Sequence, residues 1–203
     1  MMVKICGITR QQDAEAAVAH GASAIGFIFW VGSPRFIDPY RARKIAKALP
    51  PFVSTVGVFV NQPKEYVNGV ASLVPLAVVQ LHGDEPPAFA SELSRPVMKA
   101  ITRPESAKEW PAQVMLLFDA HDPVKRGGTG RVVDWTTAAT VARERRIVLA
   151  GGLTPDNVAD AVAAVQPFGI DVSSGVELSP GIKDERRMAA LFAAIQRSRV
   201  STV

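Results

Sequence analysis

The segment Ile147-Val-Leu-Ala-Gly-Gly-Leu-Thr-Pro-Asp-Asn-Val158, followed by Gly169-Ile-Asp-Val-Ser-Ser-Gly175, decides the fold. Residues 147–150 and 169–172 are short and nearly all apolar. A strand buried on both faces reads that way, as in a parallel sheet wrapped by helices. Between them, residues 155–165 carry helical periodicity, with Asp156 near the positive end of the helix dipole. The unit is therefore strand, helix, parallel strand, and each strand runs into small residues that permit a tight turn.

The same unit recurs outward in both directions. Strands are expected at 3–6, 24–29, 55–60, 77–81, 97–101 and 115–119. Helices are expected at 11–20, 39–49, 64–73, 87–93, 134–145 and 184–198. The first helix has Ala14, Ala17 and Val18 on one stripe. The second starts at Pro39 with Asp38 as its cap. The last has Met188, Leu191, Phe192 and Ile195 facing inward, and Asp184 and Glu185 at its start. Eight alternations point to an α/β fold, a (β/α)8 TIM barrel. The rival is a doubly wound open sheet. Eight strand candidates, and the lack of Gly-x-Gly-x-x-Gly after the first, favour the barrel.

The chain has 203 residues, close to the roughly 200 that such a barrel needs. Loops must then be short, and residues 1–203 read as a single compact domain. Residues 102–114 contain Pro104 and Pro111, so the fifth helical unit is expected to be short or irregular. The longest loop, 120–133, holds Gly127, Gly128 and Gly130 and is a candidate closing lid.

An apolar fraction of 48% with 21% charged residues is globular, not disordered. The net charge of +4 is mild. Arg143, Arg145, Arg146, Arg186 and Arg187 read as solvated helix faces, and no aromatic platform interleaves them, which speaks against nucleic acid. The single cysteine excludes an intramolecular disulfide and a cysteine-cluster metal site. His20, His82 and His121 lack metal-ligand spacing, so no metal is expected. No signal-like N-terminus and no apolar run of spanning length is present, so a cytoplasmic protein without membrane contact is expected.

In a barrel the site lies at the C-terminal ends of the strands. Gly151-Gly152 and Ser173-Ser174-Gly175 follow the last two strands, where backbone N–H groups commonly hold a phosphate; the alternative is ordinary turns. Asn61-Gln62-Pro63 and His82-Gly83-Asp84, after strands three and four, show no matching glycine pair, so one phosphate is expected. Cys6 is either a small buried hydrophobe or a base whose thiolate Lys4, on the same strand face, would stabilise. Asp119 ends a very apolar run. It is either a general acid with a raised pKa, or a helix cap or a partner of Lys99. Arg35 is either a surface residue or a bidentate grip for a carboxylate. Asp171 could bond a substrate hydroxyl, and His82 would line the pocket. A base and an acid on different strands suit proton transfer, as in an isomerase.

Ordered motifs along nearly the whole chain then show a resemblance. They are Lys4-Ile-Cys-Gly-Ile-Thr9, Gly26-Phe-Ile-Phe29 with Ser33-Pro-Arg35, Val56-Gly-Val-Phe-Val-Asn61, and Val79-Gln-Leu-His-Gly83. Gly127-Gly-Thr-Gly130 with Asp134-Trp135, Leu149-Ala-Gly-Gly-Leu153, Asp171-Val-Ser-Ser-Gly-Val-Glu177 and Pro180-Gly-Ile-Lys-Asp184 complete the set. The chain resembles the phosphoribosylanthranilate isomerases. The resemblance implies an Amadori rearrangement of a phosphorylated small molecule in tryptophan biosynthesis, without cofactor or metal. It implies Cys6 as general base and Asp119 as general acid. It places Arg35 at the anthranilate carboxylate, Asp171 at a substrate-binding position, and Gly128 with the two glycine loops at the phosphate. The assembly is expected to be a monomer or homodimer.

The nearest rival is a histidine-pathway aminoaldose isomerase, or a barrel serving both pathways. Such enzymes use two phosphate sites and typically an aspartate in place of Cys6. A barrel that binds a phosphometabolite without turnover would need neither acid nor base.

Overall fold

The computed structural model describes residues 1–119 and 135–200, with side chains through residue 197. Eight parallel strands close on themselves in sequence order: β1 (Met2–Ile5), β2 (Ala24–Ile28), β3 (Ser54–Phe59), β4 (Val78–Leu81), β5 (Val97–Ile101), β6 (Met115–Phe118), β7 (Ile147–Leu149) and β8 (Gly169–Val172). Closure comes from β1 lying parallel to β8, with Lys4 opposite Asp171. The expected barrel is the observed one.

Two apolar layers explain why the strands read as continuous apolar runs. Residues of one parity, such as Ile5, Ile25, Val79, Leu116 and Leu149, pack outward under the helices. The other parity fills the barrel interior with Ala24, Val56, Met98, Leu117, Val148 and Ala150. Both faces exclude water, so little alternation survives in the sequence.

The wrapping helices are α1 (Gln11–Ala19), α2 (Pro39–Ala48), α3 (Lys64–Leu73), α4 (Trp135–Glu144), α5 (Val158–Val165) and α6 (Glu185–Val200). Asp38 caps α2 as expected, accepting from the Tyr40 and Arg41 amides. Met188, Leu191, Phe192 and Ile195 of α6 are buried.

Three expectations change. The segment expected as a helix at 87–93 is a 3-10 helix, Pro87–Glu92, preceded by Pro86. Its amides bond three residues back, Phe89 to the Pro86 carbonyl and Leu93 to the Ala90 carbonyl, the tighter pattern of a short connector. A short β-hairpin not foreseen in the sequence, β9 (Glu177–Ser179) with β10 (Ile182–Lys183), precedes α6.

The third change concerns the arginines. The short fifth unit is the 3-10 helix Pro104–Lys108. Its carbonyls, and those of the loop into β6, lack helical partners. Arg145 supplies them by donating to the carbonyls of Ala107, Trp110, Pro111 and Val114 at 2.7–3.0 Å. Arg187 likewise donates to the Glu177 carbonyl. Arg145 is a clamp, not solvated charge, whereas the Arg187 side chain stays 53% exposed on its helix face. Arg145→Met should destabilise the fold by about 3 kcal/mol, the scale of losing more than one charged hydrogen bond. Urea unfolding at neutral pH measures this, and a cost below about 0.5 kcal/mol would remove the clamp.

Candidate active site

Strand parity assembles the site. Met2 and Lys4 point into the barrel, so Cys6 follows them to its mouth. On β4, Val78 and Gln80 precede His82. On β6, Met115 and Leu117 precede Asp119. On β8, Gly169 and Asp171 precede Ser173. Period two carries each inward column past the strand end. Cys6, Arg35, His82, Asp119, Asp171, Gly151, Gly152, Ser173 and Ser174 all line one cavity of about 470 Å³ at the C-terminal end of the barrel. The structure thus brings together nearly every residue singled out from the sequence. Gly128 and the whole 120–133 loop lie outside the described residues.

Cys6 is buried beside Lys4. A Cβ on Gly26 would sit 2.9 Å from the Cys6 sulfur and 3.0 Å from Lys4 Cε, so glycine there leaves room for both. Lys4 Nζ bonds Asp171 Oδ2 at 2.8 Å, fixed by the β1–β8 register. Burial pushes the Cys6 thiol above its ordinary value, and Lys4 opposes this without overcoming it. Burial would lower the Lys4 ammonium, but Asp171 and Cys6 together hold it up. The ammonium therefore stays charged while the resting Cys6 is a thiol. Lys4 favours the thiolate, as their shared strand face led us to expect, but desolvation of a buried sulfur anion outweighs a neighbouring charge that Asp171 already shares.

Asp119 stands 3.5 Å from His82 Nε2. Lys99, offered in the sequence as a partner for Asp119, bonds Glu85 instead. Gln80 Nε2 lies 3.0 Å from His82 Nδ1. With that amide donating, the ring proton sits on Nε2, the edge facing Asp119. Gln80 was missed by sequence reasoning. A polar residue two positions before His82, inside an otherwise apolar strand, was the available signal.

Arg35 grips an internal carboxylate. Its Nε and Nη2 donate to Glu177 at 2.8–3.1 Å. That uses the side-on edge of the guanidinium and leaves the end-on edge, Nη1 with the second Nη2 proton, for another carboxylate. Glu177 also accepts from Lys183 Nζ and from the Gly181 amide. Burial would raise the Glu177 carboxyl, but Arg35 and Lys183 hold it below the usual range. Burial lowers the Lys183 ammonium, with Glu177 opposing. Glu177 stood in a quoted motif, but its pairing spans 142 positions and has no local signature.

At the far end of the cavity, Gly151 and Gly152 have φ of +91° and +64°, open to glycine at low cost. A Cβ on Gly175 would lie 1.9 Å from the Leu153 carbonyl oxygen, so this glycine lets the loops after β7 and β8 touch. Asn157 ties down the first loop, donating to the Gly152 carbonyl and accepting from the Thr154 amide. The Gly152, Ser174 and Gly175 amides donate to no protein acceptor among the described residues. Unpaired amides on two touching loops can hold an anion. The Ser173 hydroxyl donates to the Cys6 carbonyl, so it braces the end of β1.

The family model for N-(5'phosphoribosyl)anthranilate (PRA) isomerase matches residues 3–194. The chain belongs to the phosphoribosylanthranilate isomerase family. An N-(5'-phosphoribosyl)anthranilate isomerase of Geobacter sp. (strain M21) is 49% identical over 199 residues, 96% of this chain and 98% of the relative. A solved phosphoribosyl anthranilate isomerase from Thermus thermophilus superposes with a TM-score of 0.88 at 42% identity, covering 97% of this chain and 99% of that one. Another isomerase of this family was solved with reduced 1-(o-carboxyphenylamino)-1-deoxyribulose 5-phosphate. It has a TM-score of 0.86 at 38% identity and covers 97% of this chain and 99% of its own.

Proposed function

We propose that this chain isomerises N-(5-phosphoribosyl)anthranilate to 1-(2-carboxyphenylamino)-1-deoxyribulose 5-phosphate in tryptophan biosynthesis, with Cys6 as general base and Asp119 as general acid. The observation that carries the reading is one cavity with Cys6 and Asp119 on its wall, a guanidinium edge on Arg35, and the amide cradle of the glycine loops. The compound bound to the solved relative carries one carboxylate and one phosphate, the two anions these features suit.

Asp119, protonated, gives its proton to the furanose ring oxygen, and the C1–O bond breaks to an iminium. The Cys6 thiolate takes the proton from C2, and its electron pair forms the C1–C2 double bond of an enolamine. Tautomerisation then gives the ketose. His82 Nε2–H faces the Asp119 carboxylate and stabilises the charge left after donation. Arg35 takes the anthranilate carboxylate end-on, Asp171 Oδ1, buried without a partner among the described residues, accepts from a sugar hydroxyl, and Gly151, Gly152, Ser174 and Gly175 hold the phosphate. Gly128 is assigned to the phosphate by family position.

The histidine-pathway alternative is not favoured, because that substrate brings two phosphates. The purified chain, assayed by loss of phosphoribosylanthranilate fluorescence, is expected to turn it over. No turnover, or rescue of a histidine auxotroph but not a tryptophan auxotroph, would overturn the reading. The working form is proposed as a cytoplasmic monomer or homodimer, which sedimentation equilibrium resolves.

A further inference from the structure

The loops after β3 and β4 lie half a barrel away from the two glycine loops after β7 and β8. Both pairs sit at the C-terminal end, so topology makes them equivalent. Their chemistry differs. After β7 and β8 the amides are unpaired. After β3 and β4 they are already filled, and by a carboxylate of the chain itself.

Glu85 is that carboxylate, with its side chain 3% exposed. Its Oε1 accepts from the Asn61 amide at 2.8 Å, and its Oε2 from the Gly83 amide at 3.0 Å. Lys99 Nζ lies 2.8 Å from the same Oε2. Two backbone amides from different loops and an ammonium thus converge on one buried anion. Asn61 has φ of +56°, the left-handed conformation that turns successive amides toward a common point. A Cβ on Gly83 would fall 2.2 Å from Asn61 Oδ1, so close approach of the loops depends on glycine. Asn61 Oδ1 also accepts from the Asp84 amide. This donor set is the one that holds a phosphate oxygen elsewhere in proteins.

We propose that Glu85 is the built-in occupant of a second anion site, and that it restricts the chain to substrates bearing one phosphate. The cradle is present, but its charge is satisfied from within. A second phosphate arriving there meets no unpaired donor on Asn61 or Gly83, and it meets like charge on Glu85 and on the exposed Asp84. The Lys99 ammonium, stacked 5.4 Å from the Trp110 ring, has its charge spent on Glu85 as well. The restriction on substrate rests on the functional reading above. The occupied anion site does not.

Removing the occupant tests this. Glu85→Ala leaves the Asn61 and Gly83 amides without their acceptor and leaves Lys99 Nζ only the Gly83 carbonyl, so it should lower Tm in chloride buffer. Inorganic phosphate, exchanged for chloride at constant ionic strength, should then raise the Tm of Glu85→Ala by at least about 3 °C more than it raises that of the wild type. The wild type reports the glycine-loop site alone, so the excess belongs to the vacated cradle. An equal phosphate shift in both proteins would overturn the proposal. If Glu85→Ala does not fold in chloride, recovery of folded protein on refolding in phosphate supports it. If it folds in neither buffer, the same excess is expected for Glu85→Ser, whose short side chain also vacates the cradle, and its absence overturns the proposal.

The substrate arm is separate. Fructose 1,6-bisphosphate should gain at least about tenfold in affinity on Glu85→Ala, by calorimetry, while fructose 6-phosphate gains less than about twofold. A phosphate-specific Tm excess without that bisphosphate gain would keep the anion site and overturn the restriction. Failure of the wild type to turn over phosphoribosylanthranilate would strike the functional reading and leave the Tm result standing.

Discussion

Cys6→Ala is expected to lower kcat by at least about 10²-fold while KM changes by less than about threefold, and Asp119→Asn should do the same. Each removes a proton carrier and leaves the carboxylate and phosphate contacts in place. Stopped-flow or steady-state fluorescence on phosphoribosylanthranilate measures both. Near-normal kcat in Cys6→Ala would take the base away from Cys6. The pH dependence gives an independent check with a definite sign. A base works deprotonated, and burial raises the Cys6 thiol above its ordinary value. At neutral pH the thiolate is therefore a minor species, and kcat/KM should still be climbing above pH ~8.5, the unperturbed thiol value. Lys4→Met removes the larger of the two charges, Lys4 and Lys183, that favour the thiolate and should move that limb further to the alkaline side. A plateau reached below neutral pH would contradict the buried-thiol geometry.

Glu177→Gln is expected to cost about 3 kcal/mol of stability at pH 7 and to lower Tm by about 6–12 °C. The carboxylate serves two cations, Arg35 and the fully buried Lys183 side chain. Its removal leaves charge buried without compensation. The sign with pH is fixed by the folded carboxyl being held below its usual range. Stability from this group is present above the unfolded value near ~4.3 and is lost as pH falls through the folded one. The gap between wild type and Glu177→Gln should thus persist at pH 7 and close in acid. Because Glu177 also orients Arg35, KM for phosphoribosylanthranilate should rise more than kcat falls. A Tm within about 2 °C of the wild type would show that Arg35 and Lys183 find other partners.

The fold was legible because repetition is a local property. Each of the eight strands announces itself by an apolar run, and most crossovers by period and caps such as Asp38. The irregular units were partly legible. Prolines foretold the broken fifth crossover, but nothing near residues 102–114 pointed to Arg145 as the group that satisfies its carbonyls. The hairpin at 177–183 was hidden because three-residue and two-residue strands carry no measurable pattern.

The sequence by itself determined the barrel, the strand-end positions of Cys6, Asp119 and Asp171, the mouth loop that carries Arg35, and two glycine loops able to approach an anion. These follow from spacing along one chain. Tertiary structure decided how those groups are charged and aimed. Closure of β1 on β8 put Lys4 beside Asp171, burial kept Cys6 a thiol, Glu177 turned Arg35 end-on to the cavity, and Glu85 filled the amides after β3 and β4. Each of these depends on desolvation and on partners distant in the chain. Pattern and propensity register neither, because both are set by which side chains share a space after the barrel has closed.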